Sequence, residues 1–133
     1  MKKIKNDYFS KYANSSLAQS EKTKNIFKLK EQGVDINARD EKGDTAAHIA
    51  AEANSSDTLY FLSENNAVLD ARNRFGWSPL HGACFSNSTD TLSFLFDKGL
   101  DVEDRDKYDR RPLHVAAMTN SVDSANFLVD HGA

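Results

Sequence analysis

The sequence predicts an all-α solenoid, a fold in which short helix-turn-helix units stack side by side. Three observations predict it. Three stretches of the chain align without a gap at a period of 33 residues, each stretch opens with a turn signal, and two short helical segments follow the turn. A period of about 20 to 50 residues is typical of stacked repeats, in which each unit buries its apolar face against its neighbours.

The three aligned stretches cover residues 39–71, 72–104 and 105–133. Histidines mark the register at His48, His81 and His114. The same step relates six further sets of positions: Arg39/Arg72/Arg105, Ala50/Ala83/Ala116, Asn54/Asn87/Asn120, Asp57/Asp90/Asp123, Phe61/Phe94/Phe127 and Leu62/Leu95/Leu128. So many matches in one register indicate a true internal repeat.

The start of each repeat predicts a tight turn followed by a helix. Gly43 and Gly76 suit a turn that needs a positive φ. Thr45 and Ser78 stand where a helix N-cap hydroxyl belongs. Pro79 then occupies the first helical position, where a missing N–H has no cost. We therefore predict that the first helix of each repeat begins here.

The middle of each repeat predicts the end of one helix and the start of the next. Asn54 and its equivalents suit the left-handed conformation that ends a helix. A hydroxyl and an acid follow, as in Ser56 and Asp57, and they favour a new helix start. The second helix carries the larger apolar residues and ends near Gly99 and Gly132.

Certain positions depart from the repeat pattern. The first full repeat has Ala46 and Ala47 where the others have proline and leucine. The last repeat has Asp109 in place of the turn glycine and Arg111 in place of the N-cap hydroxyl. We expect the turns of these repeats to be looser.

The segments SPLHGAC, RPLHVAA, FLFDKGLDVED and FLVDHGA, at this period, resemble ankyrin repeats. The resemblance covers residues 39–133, and FKLKEQGVDINA at 27–38 matches the end of one more repeat. It implies one ankyrin-repeat domain over 1–133, with β-turn or hairpin fingers joining the units and residues 1–38 as an N-terminal capping repeat. The last repeat is truncated, so we expect the chain to be a fragment of a longer protein.

Composition and charge narrow the class of protein. The net charge is −3, but residues 1–30 carry +6 and the remainder −9. An acidic body disfavours nucleic acid as a partner, since phosphate binding needs a clustered basic face. No apolar run approaches the roughly 20 residues that a transmembrane helix needs. A single cysteine, Cys84, excludes an internal disulfide. We therefore predict a cytoplasmic protein that binds neither nucleic acid nor membranes.

No combination of residues predicts catalysis, a cofactor or a metal site. The three histidines recur one per repeat rather than converging, and no spacing resembles a zinc site. The resemblance implies that each histidine bridges the turn hydroxyl and the backbone of a neighbouring repeat. Cys84 aligns with Ala51 and Ala117, which predicts a small buried residue. Four carboxylates at 101–106 predict a solvated acidic patch, with weak cation binding as a remote alternative.

The resemblance implies that partners bind on the concave side, formed by the turn tips and the first helices. At these positions the first full repeat offers charged residues, including Glu41, Lys42, Asp44 and Glu52, while the next two offer large side chains. Aromatic residues and arginine often dominate binding energy. The predicted partner-binding residues are Arg74, Phe75, Trp77, Phe85, Tyr108, Arg110 and Met118. The alternative for Trp77 is packing across the neighbouring turn.

These observations favour a non-catalytic protein-protein interaction module. The alternative is the targeting portion of an enzyme whose catalytic domain lies outside this chain. The composition of the chain also suits a microbial effector that acts on host proteins in the host cytoplasm. By family resemblance, Asn37 is a candidate for hydroxylation, with Leu29 and Asp35 at the matching spacing. The chain is expected to be a monomer, with weak self-association through the uncapped C-terminal edge as the alternative.

Overall fold

The computed structural model describes residue 33 and residues 35–133. Six α-helices and no β-strand occur in this part of the chain, so the all-α prediction is confirmed. The predicted capping repeat at 1–38 lies almost wholly outside the described residues. The helices are α1 (Ala46–Glu52), α2 (Ser56–Glu64), α3 (Pro79–Phe85), α4 (Thr89–Asp97), α5 (Pro112–Met118) and α6 (Val122–Asp130).

Each repeat therefore contributes an inner helix of seven residues (α1, α3 or α5) and an outer helix of nine residues (α2, α4 or α6). The predicted starts and ends of these helices are confirmed. Asn54, Asn87 and Asn120 follow the inner helices with φ between 55° and 56°. This left-handed conformation is one that asparagine tolerates better than most residues, so the chain can reverse there.

The finger turns before α1, α3 and α5 share one hydrogen-bonding pattern. In each, the first turn residue donates its N–H to the carbonyl four residues on, at 2.9 to 3.0 Å. In the third turn Asp109 adopts a φ of 63°, close to the 73° of Gly76. The bond from Asp106 N to the Arg110 carbonyl is 2.9 Å. The expectation of a looser third turn is therefore wrong, because an aspartate can occupy the left-handed region that the turn requires.

Neighbouring fingers join through their backbones. The Arg74 N–H donates to the Lys42 carbonyl at 3.1 Å, and the Lys107 N–H donates to the Phe75 carbonyl at 3.0 Å. These two bonds repeat at the 33-residue period and hold the finger tips side by side.

The core runs along the stack between inner and outer helices. The inner helices contribute mostly small residues to it, with Leu80 as an exception, and the outer helices contribute leucines: Ala50, Ala51, Ala83, Cys84 and Ala116 against Leu59, Leu62, Leu92, Leu95 and Leu128. Burial raises the pKa of the Cys84 thiol to about 12. Cys84 is therefore an inert packing residue, as predicted, since the thiolate is the reactive form. No helix in the described part of the chain is long and apolar enough to cross a membrane.

Candidate functional site

The inner-helix histidines fix the fingers on which the candidate site is built. The Nδ1 of His48 accepts the Thr45 N–H at 3.1 Å, so its Nε2 carries the proton and donates to the Trp77 carbonyl at 2.7 Å. In the next repeat His81 accepts the Ser78 N–H and donates to the Asp104 carbonyl at 3.1 Å. The predicted bridge to a neighbouring repeat is confirmed for His48, whereas the Nε2 of His81 bonds to Asp104, the last residue of its own repeat.

Burial has a direct effect on the protonation of both histidines. His48 and His81 are almost fully buried, and desolvation lowers the pKa of each imidazole. They are neutral at pH 7, the state that the two hydrogen bonds require. His114 makes the equivalent bond to the Arg111 N–H, but its ring is exposed.

The second repeat places three aromatic side chains together. The Trp77 ring lies 5.5 Å from the Phe75 ring and 5.2 Å from the Phe85 ring, measured between centroids. Phe75 projects from the finger tip, and Phe85 is the last residue of α3. Such tilted aromatic contacts contribute roughly 0.5 to 1.5 kcal/mol beyond the area they bury.

The third repeat contributes a second group around Arg110. The guanidinium of Arg110 lies over the Tyr108 ring at 4.9 Å, and its Nη1 is 3.6 Å from the Met118 sulfur. A cation above an aromatic face is attracted by the ring quadrupole. Arg110 thus contacts both Tyr108 and Met118.

One carboxylate oxygen joins the two groups. The Oδ2 of Asp106 accepts the Trp77 indole N–H at 2.9 Å and the Arg110 Nε–H at 2.8 Å. Burial alone would raise the pKa of Asp106, but the bonds from Arg110, Trp77 and the Tyr108 N–H lower it to about 2. We name the resulting surface the aromatic patch; it consists of Phe75, Trp77, Phe85, Tyr108, Arg110 and Met118.

The exposure of the patch separates two roles. Trp77 is 8% exposed, so it fits the packing alternative and supports the side chains above it. Phe85 is 42% exposed, Tyr108 61% and Met118 56%. These three large side chains of the patch therefore remain open to solvent.

Six of the seven predicted partner-binding residues are therefore brought together. Arg74 is exposed at the finger tip beside Phe75, and within residues 35–133 no hydrogen bond or ion pair joins its side chain to the patch. Asp106 is expected from the sequence to lie in the solvated acidic patch at 101–106, and this is wrong, because Asp106 is buried and its carboxylate organises the aromatic patch. The available signal was its place at the start of the finger, where Asp40 and Asn73 also accept backbone N–H groups.

Glu52, the equivalent of Phe85 in the first repeat, borders the patch on the other side. Its Cγ occupies the space that a side chain on Gly82 would fill, at 3.0 Å from an ideal Cβ position. Burial, and then the charges of Asp44 and Asp40, raise the pKa of Glu52 to about 7, while Lys42 opposes them. The sequence signal was Gly82 itself, since Ile49 and Val115 occupy this position in the other repeats.

Asn37, the predicted hydroxylation site, is half-buried and engaged in the structure. Its Oδ1 accepts the Val68 N–H at 2.8 Å, and its own N–H donates to Asp35 at 2.9 Å. Leu29 lies outside the described residues. Hydroxylation of Asn37 stays a prediction.

Three of the four acidic residues at 101–106 form ion pairs: Glu103, Asp104 and Asp106. Arg72 pairs with Asp104, and the Nε of Arg111 lies 3.2 Å from Glu103. A cleft of about 540 Å³ lies nearby at the ends of α2 and α4, and none of the predicted partner-binding residues lines it. In residues 33 and 35–133, no three histidine, cysteine or acidic residues group closely enough to hold a metal ion.

Comparison with known proteins gives one result for this architecture. The family model for ankyrin repeats, in three copies, matches residues 15–106 and 68–133. No curated protein gives a significant match to the chain.

Proposed function

The chain belongs to the ankyrin-repeat family, and from that premise we propose that it binds a partner protein through the aromatic patch. Ankyrin repeats are generally protein-protein interaction modules. The observation that carries the proposal is the pairing of exposed and supporting groups around Asp106. Phe85, Tyr108 and Met118 stay open to solvent, while Trp77 and Arg110 are fixed beneath and between them.

This arrangement supports binding because the patch is already ordered. A partner loses affinity when it must immobilise rotamer-rich side chains, at roughly 0.5 to 1.5 kcal/mol for each one. Here the Arg110 side chain is fixed by its bond to Asp106, and the Phe85 ring packs against the Trp77 ring. Aromatic and arginine side chains in such settings are those that most often dominate binding energy.

The proposal concerns the binding module alone. The hypotheses of a microbial effector and of an enzyme's targeting portion are drawn from the sequence, and no contact described above favours either. The same holds for cytoplasmic location and for a monomeric state, which stay predictions.

The test is affinity capture from a cell lysate with three versions of the chain, quantified by mass spectrometry. Phe85→Ala/Tyr108→Ala removes two exposed patch residues. Tyr60→Ala/Val68→Ala is the matched control, because Tyr60 and Val68 are comparably exposed and lie on α2 and in the loop after it. Circular dichroism and urea unfolding establish that all three are equally folded.

We expect at least one protein to be retained by the wild type and by the control variant but reduced about tenfold or more with the patch variant. Equal retention by all three would move the site away from the patch. Equal loss from both variants would show that capture depends on general surface hydrophobicity and would contradict a specific site.

A further inference from the structure

The surface around the aromatic patch changes character from one repeat to the next. In the first repeat, the equivalents of Trp77 and Phe85 are Asp44 and Glu52. The apolar centre therefore has a carboxylate at its first-repeat border. Because equivalent residues of stacked repeats lie side by side, a bound segment that crosses the repeats meets both.

Glu52 is held in this border position by packing. Its side chain lies over Gly82 of α3, and Phe85 is three residues further along that helix, so both are on the same helix face. Within the described residues, no hydrogen bond or ion pair to the Glu52 carboxylate is formed. Its own backbone carbonyl is engaged separately, by the Ser88 hydroxyl at 2.9 Å.

A half-buried carboxylate without a donor is unfavourable, and a cation that arrives with a partner would relieve it. Among the described residues, the charges that face Glu52 are Asp40, Lys42 and Asp44 on the finger. His48 on α1 and His81 on α3 are neutral near pH 7. The local balance is negative, so the complementary group is positive.

We infer that the partner segment carries a lysine or arginine that pairs with Glu52, next to an apolar side chain that packs on Phe85. This inference rests on the proposed function and adds the chemistry of the partner. Stacked helices lie about 8 to 10 Å apart, and an extended chain advances about 3.3 Å per residue. Side chains of an extended segment share a face only at every second position, so the basic and apolar residues are about two positions apart.

The charge on Glu52 gives the interaction a signature in pH. The carboxylate must be ionised to pair with a cation, and its pKa of about 7 in the free protein leaves a fraction protonated at neutral pH. Affinity should therefore fall as the pH is lowered from 8 to 6. The Glu52→Gln variant should lack this change, which separates it from any contribution of the two histidines.

The experiment selects binders from a displayed library of random 12-residue peptides against the wild-type chain at pH 8. Those that fail to bind Phe85→Ala/Tyr108→Ala but bind Tyr60→Ala/Val68→Ala are the patch binders. Their affinities are then measured for the wild type, for Glu52→Gln, and for Glu64→Gln as a matched control. Glu64 is an exposed acid at the end of α2 in the same repeat.

We expect patch binders to be enriched in lysine or arginine about two positions from an apolar residue. They should bind Glu52→Gln at least fivefold more weakly at pH 8, with no loss for Glu64→Gln. Patch binders without basic residues, or with equal affinity for Glu52→Gln, would overturn the inference and leave the proposed function standing. Selected peptides that all bind Phe85→Ala/Tyr108→Ala as tightly as the wild type would overturn both the inference and the proposed function.

Discussion

The two finger junctions use one backbone scheme and opposite side-chain chemistry. In the first junction, between residues 40–44 and 73–77, the Asn73 amide donates to Asp44 at 2.9 Å. In the second, between 73–77 and 106–110, the Trp77 indole donates to Asp106 at 2.9 Å. Both junctions also contain a finger-to-finger backbone bond, and a histidine Nε2 bond to a backbone carbonyl accompanies each, from His48 to Trp77 and from His81 to Asp104.

The difference teaches which parts of the junction specify the fold and which specify the surface. The backbone bond and the histidine recur, whereas the residue before the N-cap changes from Asp44 to Trp77. Asp44 lies near Glu52 and raises its pKa, while Trp77 packs against Phe85. One scaffold thus presents a desolvated acid in one repeat and an aromatic cluster in the next.

The largest expected effect comes from breaking the second junction at Gly76. A Cβ added there would lie 2.5 Å from the Lys107 nitrogen at a φ of 73°, whereas at Gly43 the nearest atom, Arg74 N, is 3.1 Å away. We expect Gly76→Ala to cost about 3 kcal/mol or more of unfolding free energy, and Gly43→Ala less. Urea denaturation measures both.

Gly99→Ala is the control for backbone strain alone. Its φ is 93°, and nothing lies within 4 Å of the added carbon. We expect a loss of about 1 to 2 kcal/mol. If all three variants lost the same free energy, the close approach of the fingers would contribute nothing.

Replacing the histidines separates the stability contributed by the Nε2 bond from that contributed by the bond to the N-cap N–H. Glutamine at the same helical position can still reach back to the N-cap N–H, but it does not reproduce the Nε2 bond. We expect His48→Gln and His81→Gln each to cost about 2 kcal/mol, since they leave a carbonyl without its donor. His114→Gln, at an exposed ring, should cost less than about 0.5 kcal/mol.

The same variants carry a prediction in pH. The folded pKa of His48 and His81 lies below the unfolded value of 6.5, so the unfolded state binds more protons in that window. Wild-type stability contributed by these groups is present above pH 6.5 and is lost as the pH falls below it. Urea denaturation at pH 5 and pH 7 measures the difference in unfolding free energy between the two pH values. This difference should be smaller in His48→Gln and in His81→Gln than in the wild type, and an unchanged difference would contradict the neutral role of the histidines.

Asp106→Asn places at position 106 the residue type found at the equivalent position of the previous repeat, Asn73. Its Nδ2 group would face the Trp77 indole and Arg110, which are both donors, so we expect a loss of about 1.5 kcal/mol at pH 7. The folded pKa of Asp106 is about 2, below the unfolded 3.8. Its stabilisation is therefore present above pH 4 and is lost as the pH falls towards 2. Thermal unfolding of both proteins from pH 5 to 2 measures this, and parallel curves would contradict it.

Glu52→Gln should give the smallest effect, with the opposite sign. The folded pKa of about 7 exceeds the unfolded 4.5, so the wild type becomes less stable as the pH rises through this window. At pH 8 we expect the variant to be more stable by about 1 kcal/mol, a modest gain because the side chain is partly solvated. At pH 5 the two should be equal within error. Glu64→Gln, measured in parallel, should change stability at neither pH.

The repeat, its helices and its turns could be predicted because they depend on residues close in the sequence. The period exposed the register, and Gly76 and Asn87 specified backbone conformations that few other residues adopt. The bridging histidines followed from family resemblance. Even so, the third turn departed from expectation, since Asp109 takes the left-handed conformation without a glycine.

The chemistry of the site could be predicted only in part. The large residues of the patch were identifiable because each occupies a finger-tip or helix-end position in the repeat. The burial of Trp77 could be offered only as an alternative to binding, because it depends on a carboxylate 29 residues away. The environment of Glu52 depends on the absence of a side chain at Gly82, which leaves room for the Glu52 side chain. This absence is evident only when Gly82 is aligned with Ile49 and Val115 of the other repeats.

The span of the inter-repeat bonds has a consequence for how the chain folds. The bond from Arg74 to Lys42 joins residues 32 apart, and the bond from Ser88 to Glu52 joins residues 36 apart. Each repeat is therefore coupled mainly to its immediate neighbours, as in a one-dimensional array. Folding can start in whichever pair of repeats is most stable and spread outwards by zippering. A mutation in one finger should then slow only the steps that add the repeats on either side of it.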